Sequence, residues 1–237
     1  MSIQTRELAP GALPIPTYLA WPEGAGPFPG VVVIHEIFGL NENIREITRR
    51  FAERGYAALA VDLFGHGNRA LCMAQIMSGI ASRSLNRPGI GDLKGALSYL
   101  AARPEVDPNR LGAIGFCLGG GYAIAWACTD DRLKAIAPFY GTNPRPLEAV
   151  ARSCPVVGSY PGRDFTAGSG RVLEAALQRH GVPHDVKIYP AARHSFFNEG
   201  GRSYDPAAAS DAWKRVLAFF GEHLAAHTDR EGQAIDG

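Results

Sequence analysis

The stretch Leu111-Gly112-Ala113-Ile114-Gly115-Phe116-Cys117-Leu118-Gly119-Gly120-Gly121 constrains this chain more than any other. A short apolar run breaks into glycines around one cysteine, and helix-forming residues follow. G-x-C-x-G between a strand and a helix is the cysteine form of a nucleophile elbow, a turn so sharp that the side chain at its tip stands clear of the backbone. Gly115 and Gly119 permit it, because strand and helix pass too close there for a Cβ. Cys117 is the candidate nucleophile. An elbow at a helix N-terminus is expected to lower the thiol pKa from about 8.5 by favouring the thiolate, and the N–H of Leu118 points to where an oxyanion forms.

The rest of the chain reads as the sheet this elbow needs. Gly30-Val31-Val32-Val33-Ile34-His35 has no polar alternation, the mark of a strand buried on both faces, and residues 56–63 repeat it. Between them, residues 41–54 set Ile44, Ile47 and Phe51 on one helical stripe closed by Gly55. Strands follow at 112–116, 133–140, 155–160 and 186–189. Helices are expected at 69–82, 88–102, 120–127, 146–151, 169–180 and 206–224. Residues 3–21, interrupted by Pro10, Pro14 and Pro16, suit an edge hairpin. This alternation predicts an α/β fold, a mostly parallel sheet with helices on both faces and no large lid. With 237 residues it fits one domain spanning 1–237, with residues 225–237 a frayed polar tail.

Composition narrows the partners. A net charge of +1 argues against a nucleic-acid partner. The N-terminus lacks a basic segment followed by an apolar one, and no apolar run reaches membrane-spanning length, so the expectation is a cytoplasmic protein without a membrane partner. Cys72, Cys117, Cys128 and Cys154 show no C-x-x-C spacing, so neither a metal site nor a disulfide framework is indicated. Cys72, Cys128 and Cys154 are read as structural.

Three residues fall at three strand ends: Cys117, Asp164 and His194. In a parallel sheet these ends share one edge, where ligands bind. The order nucleophile, acid, histidine is that of α/β-hydrolases. His194 draws the thiol proton and later activates water, while Asp164 fixes its tautomer. Asp130 and Asp131 lie at the far end of the elbow helix and face away. The N–H groups of Leu118 and Ile37 form the oxyanion hole, each worth on the order of 3 kcal/mol. Glu36, a charged residue where a buried strand ends, either faces the ligand or pairs with an arginine. Of the other histidines, His180, His184, His223 and His227 read as solvated, and His35 and His66 lie near the edge without the loop position.

Through His35-Glu36-Ile37-Phe38-Gly39, Gly115-Phe116-Cys117-Leu118-Gly119-Gly120, Gly162-Arg163-Asp164 and His194-Ser195-Phe196, the chain resembles the dienelactone hydrolase family, whose members are carboxymethylenebutenolidase-like α/β-hydrolases. The resemblance implies cofactor-independent hydrolysis of a lactone or small activated ester through an acyl-cysteine, with Cys117, Asp164 and His194 as triad. It also implies that Glu36 contacts the thiol and helps generate the thiolate when substrate arrives. Family members acting on dienelactone hold its carboxylate with arginines, one shortly after the His-Ser-Phe stretch, where this chain has Phe197, Asn198 and Glu199. Arg69 is the candidate substitute anchor, with Arg202 a second. The alternatives are a broad carboxylesterase without dienelactone activity and a catalytically silent binding protein on the same fold.

Overall fold

The computed structural model describes residues 1–8, 11 and 13–225. Pro10, His227 and the tail expected to fray beyond residue 225 lie outside the described residues. Eight strands, β1 (Ile3–Leu8), β2 (Thr17–Pro22), β3 (Phe28–Ile34), β4 (Ala57–Val61), β5 (Val106–Phe116), β6 (Leu133–Phe139), β7 (Val156–Pro161) and β8 (His184–Tyr189), form one sheet. Their order is β1-β2-β4-β3-β5-β6-β7-β8. All pairs from β4 to β8 are parallel, and β2 runs antiparallel to both its neighbours. The expected hairpin is present, but only β1 lies at the edge. Tyr18, Leu19 and Ala20 of β2 are buried, so that strand is sealed between two others.

Among the described residues six α-helices cover the sheet: α1 (Glu42–Ala52), α2 (Arg69–Ser82), α3 (Ile90–Ala101), α4 (Leu118–Ala127), α5 (Thr166–Arg179) and α6 (Pro206–His223). On one face Ile76, Leu97, Trp126 and Leu173 bring α2 to α5 onto Val32, Leu59 and Ile136. On the other, Phe51 of α1 and Trp213 and Phe220 of α6 pack on Val31, Ala58 and Ile114. Alternate residues of one strand thus enter opposite cores, which is why β3 and β4 are apolar throughout. Each large side chain so buried contributes roughly 1.5–3 kcal/mol.

Helix boundaries differ from expectation where side chains decide them. Helix α5 begins at Thr166, three residues before the expected start, with Phe165 at its cap and Asp164 accepting from the Thr166 N–H at 3.4 Å. The expected helix over 146–151 is a 3-10 helix, Leu147–Arg152. Among the described residues no helix is long and apolar enough to cross a membrane.

Candidate active site

The strand ends deliver the site. β5 stops at Phe116, Cys117 takes φ 55°, and α4 starts at Leu118. That left-handed backbone is strained for a residue with a Cβ and turns the side chain out of the sheet. A Cβ on Gly115 runs into the Gly119 carbonyl. One on Gly119 runs into the Ile34 carbonyl and comes within 2.7 Å of the His35 carbonyl. The elbow therefore packs backbone against backbone at both glycines. All ten residues of α4 are buried, which fixes the direction of the helix under the cysteine.

β7 and β8 carry the other two members. Asp164 follows β7, His194 follows β8, and Asp164 Oδ2 accepts a hydrogen bond from His194 Nδ1 at 2.7 Å. Thr166 Oγ1 donates to the same oxygen at 2.5 Å. Burial alone raises the Asp164 carboxyl, but these two donors and the adjacent imidazole hold it below the usual carboxylate range. The Asp164 side chain is 8% exposed and that of His194 30%, so the carboxylate is shielded while the imidazole reaches the cavity. Cys117 and His194 both line a chamber of about 190 Å³, with Ile37, Leu118, Met77, Ile80 and Phe165 supplying apolar walls. Among the described residues the Ile37 N–H donates to no backbone carbonyl, while the Leu118 N–H bonds toward the Cys117 sulfur.

The chain belongs to the dienelactone hydrolase family. The sequence pattern of that family matches residues 15–224. A Saccharolobus solfataricus protein named "Putative carboxymethylenebutenolidase" is 36% identical over 86% of this chain and 93% of its own length. The crystal structure of a dienelactone hydrolase-like promiscuous phosphotriesterase from metagenomic libraries superposes with a TM-score of 0.81 at 30% identity, covering 94% of this chain and 99% of that one. Pyrococcus horikoshii acylaminoacyl peptidase, at 14% identity and a TM-score of 0.76, shares the fold.

One expectation for this family member is overturned. The thiol is not activated by the helix N-terminus: burial and then the Glu36 charge push Cys117 up to about 11, and the Leu118 N–H offsets this only in part. Desolvation of a thiolate in an apolar chamber outweighs the partial charge of one helix end. No hydrogen bond joins Cys117 to His194 among the described residues.

Glu36, just past β3, is 2% exposed. Asn198 Nδ2 donates to its Oε2 at 3.1 Å, and among the described residues no arginine pairs with it. Beside it lies Tyr140, 1% exposed and in the left-handed region at φ 39°. Burial, followed by the Glu36 charge, drives its hydroxyl pKa well up. Tyr140 follows β6 at the same edge, and the strand-end rule that selected Glu36 applies equally to it; Asn198 carried no comparable signal. His35 is fully buried, its Nε2 accepting from the Leu63 N–H at 3.0 Å and its Nδ1 meeting the Glu36 carbonyl at 2.5 Å.

Arg69 is placed otherwise than its role as an anchor requires. Its guanidinium pairs with Asp62 at 3.2 Å and donates to the Phe38 carbonyl at 3.2 Å. It does not line the Cys117 chamber. Arg202 does not line it either.

Proposed function

We propose that this hydrolase cleaves lactones or small activated esters through an acyl-cysteine on Cys117. The observation that carries the reading is one chamber shared by Cys117 and His194, with His194 fixed by Asp164 at 2.7 Å. With Nδ1–H committed to Asp164, Nε2 holds the lone pair that takes a proton. The thiol rests protonated. As its sulfur bonds the acyl carbon, its proton passes to Nε2, and the carbonyl oxygen gains charge beside the Leu118 and Ile37 N–H groups. Collapse breaks the C–O bond, and the leaving oxygen takes the proton from the imidazolium. Water, deprotonated by His194, then attacks the thioester and returns the thiol and a carboxylic acid.

The chamber favours an uncharged group at the reacting centre. Its walls are mainly apolar and the nearest charges, Glu36 and Asp164, are negative, so a carboxylate placed there is repelled. The leaving group is an enol or phenol, since a thiolate departs from the tetrahedral centre more readily than an amine. Turnover of p-nitrophenyl acetate by the wild type, its loss in Cys117→Ala, and capture of a thioester at Cys117 by mass spectrometry are the expected results. Full activity in Cys117→Ala sinks the cysteine mechanism, and no turnover of any ester or lactone by the folded wild type leaves a binding protein.

A further inference from the structure

Half of the proposed oxyanion hole is the Ile37 N–H, a backbone group whose direction depends on the peptide that carries it. The Glu36–Ile37 peptide is trans, and a trans peptide holds its N–H and the preceding C=O in one plane, pointing opposite ways. Whatever grips the Glu36 carbonyl therefore aims the Ile37 N–H.

Two donors grip it. The Gly39 N–H reaches the Glu36 oxygen at 3.2 Å and closes the turn over residues 36–39. The other is the ring of His35, whose Nδ1 lies 2.5 Å from the same oxygen. A carbonyl oxygen only accepts, so this contact places a ring proton on Nδ1. The far side of the ring agrees: Nε2 accepts from the Leu63 N–H at 3.0 Å, a nearer partner than the Asp62 carboxylate at 3.5 Å. Both lone pairs of the Glu36 carbonyl are thus occupied, and turning the peptide over breaks both bonds.

His35 is built to hold this position. It is fully buried, and its ring leans on that of Phe64 with centroids 4.8 Å apart, so it braces the loop after β3 against the chain leaving β4. Its own carbonyl abuts the elbow, since a Cβ added to Gly119 comes within 2.7 Å of that oxygen. The second donor of the oxyanion hole, Leu118, is the residue just before Gly119. One histidine therefore touches the supports of both donors, although it does not line the Cys117 chamber.

We propose that His35 is a positioning residue for the hydrolysis: its Nδ1–H locks the Glu36–Ile37 peptide with the Ile37 N–H turned toward the scissile carbonyl. The proposal rests on acyl transfer to Cys117 with Ile37 as an oxyanion donor. The opposite orientation sets a carbonyl dipole where negative charge develops and opposes the tetrahedral intermediate. The hydrogen bond thus acts on the transition state more than on the bound ester.

Two amide substitutions dissect the ring. In His35→Asn the side-chain NH2 falls at the place of Nδ1 and keeps the donor to Glu36; in His35→Gln the amide oxygen falls at the place of Nε2 and keeps the acceptor for Leu63. The quantity read is kcat/KM for p-nitrophenyl acetate divided by kcat/KM for p-nitrophenyl thionoacetate, whose C=S is the weaker hydrogen-bond acceptor. This ratio cancels the amount of folded enzyme and reports hydrogen bonding to the oxyanion. It is expected to fall about tenfold or more in His35→Gln and to stay within about twofold of wild type in His35→Asn. A ratio unchanged in His35→Gln, or equally lowered in both variants, overturns the role. Nitrogen NMR of isotope-labelled histidine in the wild type tests it without any substitution: His35 Nδ1 carries a proton, and an unprotonated Nδ1 overturns the proposal. Cys117→Ala keeps the two readings apart. Ester turnover surviving there discards the nucleophile, whereas its loss together with an unmoved ratio in His35→Gln discards His35 alone.

Discussion

Asn198 hands one side-chain N–H to Glu36 across 3.1 Å, bringing the loop after β8 against the loop after β3. A buried carboxylate is thus held by a neutral amide, and its charge acts on the neighbouring thiol. Burial first and Glu36 second raise Cys117 to about 11, so the protonated thiol dominates at pH 7. Glu36→Gln removes the second contribution. Iodoacetamide alkylation of Cys117 in the free enzyme at pH 8 is expected to accelerate several-fold, with the midpoint of its pH profile moving down. If Glu36 also serves as proton acceptor when substrate binds, ester turnover falls in the same variant. An unaltered alkylation profile shows that Glu36 is not the charge holding the thiol protonated.

Asp164→Asn tests the tautomer argument. The carboxylate only accepts, whereas the amide can present its NH2 to Nδ1, so Nδ1–H is no longer required and Nε2 loses its role as base. The expected loss in kcat is roughly 10⁴-fold, with an unchanged circular dichroism spectrum. A pH effect accompanies it. The folded-state pKa of Asp164 is depressed, so its contribution to stability is full above the unfolded value of about 3.9 and disappears as pH falls through the folded value. The wild type therefore loses more stability than Asp164→Asn between pH 5 and pH 2, measured as the shift in urea midpoint; parallel curves refute the linkage.

The elbow was legible because its constraint is steric and local: Gly115 and Gly119 face backbone, and only glycine fits. Asp164 and His194 were legible through topology, since parallel strands end on one edge whatever lies between them. The thiol pKa was not, because it depends on burial and on Glu36, contributed by a strand about 80 residues earlier. The partners of Glu36 were equally hidden. The ion pair of Arg69 was hidden as well. Its position in the chain suggested the site, but Asp62 on the neighbouring strand end captures it.

Gly119→Ala measures how tightly the elbow is built. The added Cβ meets two carbonyl oxygens of β3 and its following residue, both backbone and unable to rotate away. A loss on the order of 3 kcal/mol is expected, read as a lowered urea midpoint with unchanged slope. Gly91→Ala, where nothing lies within 4 Å of the new Cβ, is the control and leaves the midpoint near or above wild type, glycine being the poorer helix former. Equal midpoints for the two variants contradict the close approach of α4 to β3.

Arg69 separates anchoring from positioning. Its guanidinium ties the Phe38 carbonyl to Asp62, and Gly39 lies so close that a Cβ there collides with Arg69 Nη2. The loop so clamped carries Ile37, one of the two oxyanion donors in the proposed mechanism. Arg69→Ala frees that loop without removing any charge from the Cys117 chamber. The fall is therefore expected in kcat, by about tenfold or less against the roughly hundredfold cost of deleting an oxyanion donor outright. KM should be equal within error to wild type for both charged and neutral esters, because Arg69 does not line the Cys117 chamber. A KM that rises selectively for carboxylate-bearing esters, with kcat intact, returns Arg69 to the role of substrate anchor.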